Sequence, residues 1–544
     1  YVIHDLPTST PQDNAPAWGY VSPYILVVGS FSDVQDMFAW SKKLADVDVS
    51  IPNLNEILSE IKKDAKSERE CIANTYAWVQ RNIRYLAYEA GISAHQPALP
   101  AETIRKRYGD CKAMSLLLKT LLRAQGFDAR QTDIGTDDVP YSPQQVPTIA
   151  AIDHAICTVY HQGKAYFLDA TNPYIPMGYI PANIQGRQAL VEKESGCDVV
   201  ILPVLSEEAN SSSEVMEGSL ITLDNGTYAM KGNVTSSWSG DMKAMVMSAY
   251  ESVAKDEKDR LLARILGFGK TTDQLGDIRL EGNLPQAQHL QISAAYTKGD
   301  VGLSADGKLY VDMNPDKDIF LDRVDTTKRT CDDMLDMPAK LVRTVKMVIP
   351  KNMRVEELPT PYESHSEWCD FRRVFRSQGN SVVMEKEYHI KKRRIPLKEI
   401  PTWNKLVTDW ADACNEQVVP SFIITTAPSA KFGAISRLVL CLRASSSTSF
   451  KSASPKPVVP TTACTPSGSI LRRLPITTSG RVKSTTTSGL AASIAATRSV
   501  VTLTPSPSCT VPSLISTAPT SSKSASLYTF LHTSLPMRPS APFT

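Results

Sequence analysis

Apolar positions recur three and four residues apart over much of residues 33–126, then alternate with polar ones from about residue 129 onward. The first period predicts helices and the second strands. Ser32 is placed to cap a helix from Asp33 carrying Phe38, Leu44 and Val47, and Asn53–Lys63 predicts a second helix. The longest prediction runs from Glu68 to Glu89, with Tyr76, Trp78, Val79, Ile83 and Leu86. Gly91 and Pro97 interrupt the pattern, and Pro100 opens a short helix toward Arg107. A mostly apolar run then begins at Cys111 and stops at Gly126, as in a helix buried on most sides.

Strand patterning covers Ala129–Gly135, His154–His161 and Lys164–Ala170, the last two flanking Gln162-Gly163 as a hairpin turn. If that turn has two residues, 161 faces 164 and 156 faces 169, which makes His154 and Asp169 diagonal neighbours on one face. A slip of one residue would separate them. Further on, strands flank Asp224-Asn225-Gly226 (Ser219–Leu223 and Thr227–Gly232) and Asp306-Gly307 (Gln291–Tyr296 and Lys308–Asp312). Val342–Ile349 and Ser381–Ile390 add two more. One amphipathic helix, Asp241–Leu266, interrupts this series, and a helix over Leu397–Cys414 closes it. Residues 206–417 therefore read as a β-sandwich-like accessory region with helical inserts. Residues 1–32, with prolines at 7, 11, 16 and 23 and a strand-like piece at Tyr24–Val28, read as the remnant of a truncated N-terminal β domain.

Composition changes this picture at one place. From Val418 to the end there is no Asp or Glu, and Ser, Thr, Ala and Pro dominate. The segment is expected to be disordered, either as a stalk-like tail or as frameshifted sequence. It holds 12 of the 59 basic residues, so the overall charge of +2 conceals a preceding part with 47 basic and 57 acidic residues, a net of −10. An acidic body argues against a nucleic-acid partner. No uncharged apolar run approaches the ~20 residues of a spanning helix, so no integral membrane segment is expected. The chain begins at Tyr1 without a visible signal peptide. The ten cysteines form no CxxC pair or zinc spacing, the eight histidines no HExxH motif, and no EF-hand loop is present. No metal and no cofactor are assigned. Oligomeric state is not legible.

Candidate chemistry centres on Cys111. It follows Tyr108-Gly109-Asp110, a tight turn and a helix cap, and opens a helix. A thiol in a first helical turn faces free backbone N–H groups and the positive end of the helix dipole, both of which favour thiolate, the nucleophile. His154 on one strand and Asp169 on the next supply a base and a carboxylate that sets the imidazole tautomer. Taken singly, each of the three is an ordinary packing or strand residue. Their joint spacing is what points to an activated cysteine.

The pieces YAWVQRNIRYLAYEAGISAHQP, RYGDCKAMSLLLKTLLRAQGFDAR, DHAICTVY and YFLDAT, within residues 68–181, resemble the transglutaminase-like superfamily of the papain-like cysteine clan. The likeness extends to its bacterial multidomain subgroup with flanking β domains of unknown function. It implies an α+β chain with a transglutaminase-like core over residues 33–205, followed by the mainly β region and the tail. It also implies Cys111, His154 and Asp169 as catalytic residues, and Gln96 in GISAHQP as a donor to the oxyanion. The expected activity is thiol-dependent hydrolysis or acyl transfer on a protein, peptide or cell-envelope amide, with hydrolysis favoured. A periplasmic or extracellular location is implied as well. Members of the subgroup often carry Asp after Cys-Lys, where this chain has Ala113. The alternative is a catalytically silent scaffold or binding protein on the same fold.

Overall fold

A computed structural model describes residues 10–26, 28–29, 31–87, 89–314 and 322–423. The tail beyond 423, expected to be disordered or frameshifted, lies outside the described residues. No described residue before 32 is in a strand. Instead Trp18–Val21 forms a helical turn, α1. Ahead of it, Gln12 donates to Lys328 O and Thr330 Oγ1, and Met334 N donates to Asn14 O. Prolines 11, 16 and 23 lack the N–H groups a ladder needs, so this segment is held by side-chain and turn contacts.

Three helices follow: α2 (Val34–Ala45), α3 (Leu54–Lys62) and α4 (Glu68–Asn82). The cap of α2 is Asp33, not Ser32: Asp33 Oδ1 accepts from Asp36 N while Ser32 N donates back to Asp36 Oδ2. The reciprocal pair outweighs the single hydroxyl. In α4 the helix stops seven residues earlier than its periodicity suggests. Ile83 is extended, and Arg84–Tyr85 (β1) pairs in parallel with Tyr108–Gly109 (β2). Pairing with a distant strand has overridden a local helical pattern. Between these strands lies α5 (Pro100–Lys106), started by a proline at N1 and ended by Arg107 at φ +62°.

Next comes α6 (Cys111–Arg123), capped by Asp110, whose Oδ1 accepts from Ala113 N at 2.9 Å. Its Met114, Leu117, Leu118 and Leu121 pack with Ile72, Tyr76, Trp78 and Val79 of α4. The strands β3 (Asp128–Ile134), β4 (His154–His161), β5 (Lys164–Leu168), β6 (Gln188–Glu192) and β7 (Cys197–Ile201) form an antiparallel sheet in the order β5-β4-β3-β6-β7. The inner side of β4 and β5 (Cys157, Val159, Leu168) closes the same core.

The later region begins with the hairpin β8 (Ser211–Thr222) and β9 (Tyr228–Ser239), turned by Gly226 at φ +81°. The single helix expected over 241–266 is two, α7 (Gly240–Ser252) and α8 (Lys258–Ile265), because Val253 takes an extended backbone and breaks the run. Then come β10 (Gln274–Glu281), β11 (His289–Ala305), β12 (Lys308–Val311), β13 (Asp333–Met334), β14 (Ala339–Val348), β15 (Met353–Glu357), β16 (Tyr362–His365), β17 (Cys369–Gln378), β18 (Ser381–Ile390) and β19 (Arg394–Ile395). A helix, α9 (Ile400–Asn415), and a strand, β20 (Val419–Phe422), complete the described fold. The described strands of this region do not form two separate sandwich sheets. One hydrogen-bonded path runs β10-β11-β9-β8-β14-β18-β17-β16, because the parallel β8–β14 pair joins two antiparallel groups. Asn210 is buried; its Nδ2 donates to Pro338 O and its Oδ1 accepts from Met242 N.

The body does not end at residue 417. Val418 is fully buried and bridges Val311, and β20 pairs with β15. The change in composition at Val418 thus precedes the end of the packed structure. A chain ended after Gln417 should lose about 3–6 kcal/mol relative to one ended after Ile423, since burying Val418 and Val419 contributes about 1.5–3 kcal/mol each. Urea midpoints of the two chains check this. Equal midpoints would show that β20 adds nothing.

Candidate active site

Cys111 is the first residue of α6 and is only 3% exposed. Its turn is held by Asp110, which caps the helix through Oδ1 and pairs through Oδ2 with Lys112 Nζ at 2.7 Å. Lys112 also reaches Glu89 at 3.6 Å. A close-packed Gly109 lets β2 enter this turn: a Cβ there would lie 3.0 Å from Ala113 Cβ and 3.1 Å from Thr103.

The β4–β5 hairpin has the register expected of a two-residue turn. His161 pairs with Lys164 and Cys157 with Leu168. Gln162 and Gly163 both have positive φ (49° and 73°), the turn type whose twist matches the strands. Continued by one residue, this register makes His154 and Asp169 diagonal neighbours, and their side chains meet: His154 Nε2 lies 2.8 Å from Asp169 Oδ2. The other carboxylate oxygen accepts from Thr171 N (3.0 Å) and Thr171 Oγ1 (2.6 Å), and Tyr76 Oη donates to Asp169 O at 2.7 Å.

The electrostatics follow from this packing. Burial raises the Asp169 carboxyl, but the His154 charge and the hydrogen bonds from His154 and Thr171 together outweigh it and leave the group below the usual carboxylate range. For His154, burial acts against the charged ring. The carboxylate of Asp169, its hydrogen bond, and the hydrogen bond and charge of Cys111 outweigh burial and hold the imidazole well above its usual value. The ring is thus in direct contact with Asp169 and within electrostatic reach of Cys111. The titrations of His154 and Asp169 are linked.

Tyr85 of β1 faces the same group. Burial raises its phenol, and the negative charges of Cys111, Glu89, Asp110 and Asp169 raise it further. Leu86 and Tyr108 are also exposed beside the β1–β2 pair. Gln96 lies just after a 3-10 turn over Gly91–Ala94, its N–H donating to Ile92 O. No hydrogen bond ties its side chain to another described residue. Its neighbour His95 stacks edge-on against Trp40 and is lowered by burial and then by Lys112, which places this loop next to the Cys111 turn.

Thr171, Tyr76, Gln80 and Tyr85 carry no sequence signal for a role here. Tyr76 and Gln80 read as one turn of a helical core, and only the tertiary structure turns them toward the Asp169 loop. Away from the site, Glu207, Glu208 and His389 bring ligand-type atoms within 4.8 Å of one another, although His389 Nε2 is already bonded to Glu387 at 2.7 Å. The seven described cysteines are free thiols.

Residues 55–168 match the family model of the transglutaminase-like superfamily, and residues 308–420 that of a domain of unknown function with solved structure, DUF3858. A comparison with curated proteins returns no match. Among solved structures, the chain is similar to one described as a candidate protease from Parabacteroides distasonis (12% identity, TM-score 0.45) and one described as a candidate cysteine protease from Cytophaga hutchinsonii (18% identity, TM-score 0.18). The first match covers 72% of this chain and 59% of the other, the second 30% and 43%. The chain therefore spans less than two thirds of either relative. Residues 55–168 thus form a transglutaminase-like domain, and the β-rich region that follows holds the DUF3858 match.

Proposed function

We propose that the protein is a cysteine enzyme that cleaves or transfers the acyl group of an amide, with Cys111, His154 and Asp169 as its triad. The observation that carries this reading is the 2.8 Å contact between His154 Nε2 and the buried Asp169 carboxylate, with Cys111 near enough to act on the same ring. Cys111 Sγ attacks the carbonyl carbon as His154 takes the thiol proton. The tetrahedral intermediate expels the amine, which receives that proton from His154, and a thioester remains. Water then attacks with His154 as base and releases the acid; an amine in place of water gives a new amide. Asp169 keeps the ring oriented throughout. The oxyanion is met by the Cys111 N–H and the Gln96 amide, each donor of this kind contributing about 2.7–4 kcal/mol to the transition state. Hydrolysis is favoured because water needs no acceptor channel. The substrates are protein, peptide or cell-envelope amides, with the enzyme acting in the periplasm or outside the cell.

The 3% exposure of Cys111 favours the second reading, a silent scaffold. Labelling separates the two. Cys71 and Cys331 are more exposed than Cys111. Brief treatment with tagged iodoacetamide at pH 6, then digestion and mass spectrometry, should label Cys111 first. Labelling that follows exposure instead, with Cys71 and Cys331 ahead, would support the scaffold.

A further inference from the structure

The segment that carries Asp169 is pinned from both sides. From the core side, two residues one turn apart on α4 hold it: Tyr76 Oη donates to Asp169 O at 2.7 Å, and Gln80 Nε2 donates to both Asn172 O and Ile175 O at 2.8 Å. Tyr76 and Gln80 are buried. From the other side comes the loop between β10 and β11. Gln286 Nε2 donates to Gln80 Oε1 at 3.0 Å, and Gln286 Oε1 accepts from Met177 N at 2.9 Å. Gln286 thus meets both the clamp on α4 and the far end of the Asp169 segment.

That loop is itself anchored. Lys243 of α7 has no exposed surface, and its ammonium donates to the carbonyls of Leu284 (3.0 Å), Pro285 (3.2 Å) and Ala287. These three carbonyls flank Gln286 on both sides in sequence. A buried cation with three acceptors holds the loop in one conformation, because releasing it would leave a desolvated charge without partners.

We propose that Gln286 is a positioning residue for the triad, acting through Gln80 on the segment that aims Asp169 at His154. The later β region is then part of the catalytic apparatus and not an appended module. The inference rests on the reading of Asp169 as the carboxylate that orients His154. A second-sphere amide suits this task. It fixes the acceptor oxygen of Gln80, so that both Gln80 donor hydrogens stay on the carbonyls of Asn172 and Ile175. Without Gln286 the Gln80 Oε1 loses its donor and Met177 N its acceptor, so the clamp on the Asp169 segment is held less firmly.

The test uses the full chain with 13C-labelled histidine, comparing wild type with Gln286→Ala. The readouts are the His154 titration midpoint by NMR and the rate of Cys111 alkylation. Arg393→Ala, which removes the Arg393–Asp137 ion pair between the same two regions, controls for loss of packing alone. Gln286→Ala should lower the His154 midpoint by about one unit, tenfold in proton affinity. It should also slow Cys111 alkylation by about 10–100-fold, the scale of a 1 Å misplacement. Arg393→Ala should change neither. An unchanged His154 midpoint in Gln286→Ala, or an equal fall in both variants, overturns the inference. A fall confined to Gln286→Ala sustains it even if wild-type Cys111 proves unreactive, a result that would instead remove the enzyme reading.

Discussion

Cys111→Ala is expected to abolish amide turnover while leaving the protein folded. Activity should fall by on the order of 10⁴–10⁶-fold, the scale seen when a catalytic nucleophile is removed from a triad. The structural cost is small by comparison. One sulfur at the start of a helix is lost, worth about 1 kcal/mol, close to a buried methylene, and the Asp110 cap on Ala113 N is untouched. Steady-state assays on a candidate peptide amide, with melting curves on the same samples, separate the two effects. Full activity in the alanine variant would exclude Cys111 as nucleophile. Equal losses of activity and of melting temperature would point to a packing role.

The second large effect concerns the carboxylate. Asp169→Asn keeps the shape of the side chain but removes the charge and permits the wrong imidazole tautomer. A fall of about 10⁴-fold in kcat is expected, with KM little changed. Stability should respond to pH in a defined window. The folded His154 titrates above its unfolded value of ~6.5, so its contribution is complete below that pH and is lost as pH rises through the folded value. Asp169 titrates below the ordinary carboxylate value of 3.8, so its contribution is complete above that pH and is lost as pH falls through the folded value. Both statements describe one interaction. The melting-temperature gap between wild type and Asp169→Asn should therefore be widest near pH 5 and should narrow on either side. A gap independent of pH would show that the charge of the pair does not matter to folding.

The sequence shows the site more clearly than its supports. A two-residue turn at Gln162-Gly163 sets the hairpin register, and register decides which side chains meet, so the His154–Asp169 contact is legible from spacing alone. The Cys111 helix is legible because its cap, apolar face and terminating glycine agree. Local patterning fails where distant chain decides. The end of α4 is set by the pairing of Arg84–Tyr85 with Tyr108–Gly109, and helical spacing carries no trace of that partner. The parallel β8–β14 pair that merges the later strands into one sheet is equally non-local. At Val418 the composition shifts abruptly, yet Val419–Phe422 form a strand that pairs with β15, a partner that composition does not reveal. Gln80 and Gln286 lie 206 residues apart, and only the fold brings their amides together.

The most direct test of the account is whether Cys111 depends on His154 for its reactivity. Rates of iodoacetamide alkylation at Cys111, measured by peptide mass spectrometry at pH 6 in the wild type and in His154→Ala, answer this. The wild type should react at least about tenfold faster, the equivalent of 1.4 kcal/mol. Equal rates would mean that the imidazole does not activate the sulfur, and the proposed acyl chemistry would not stand.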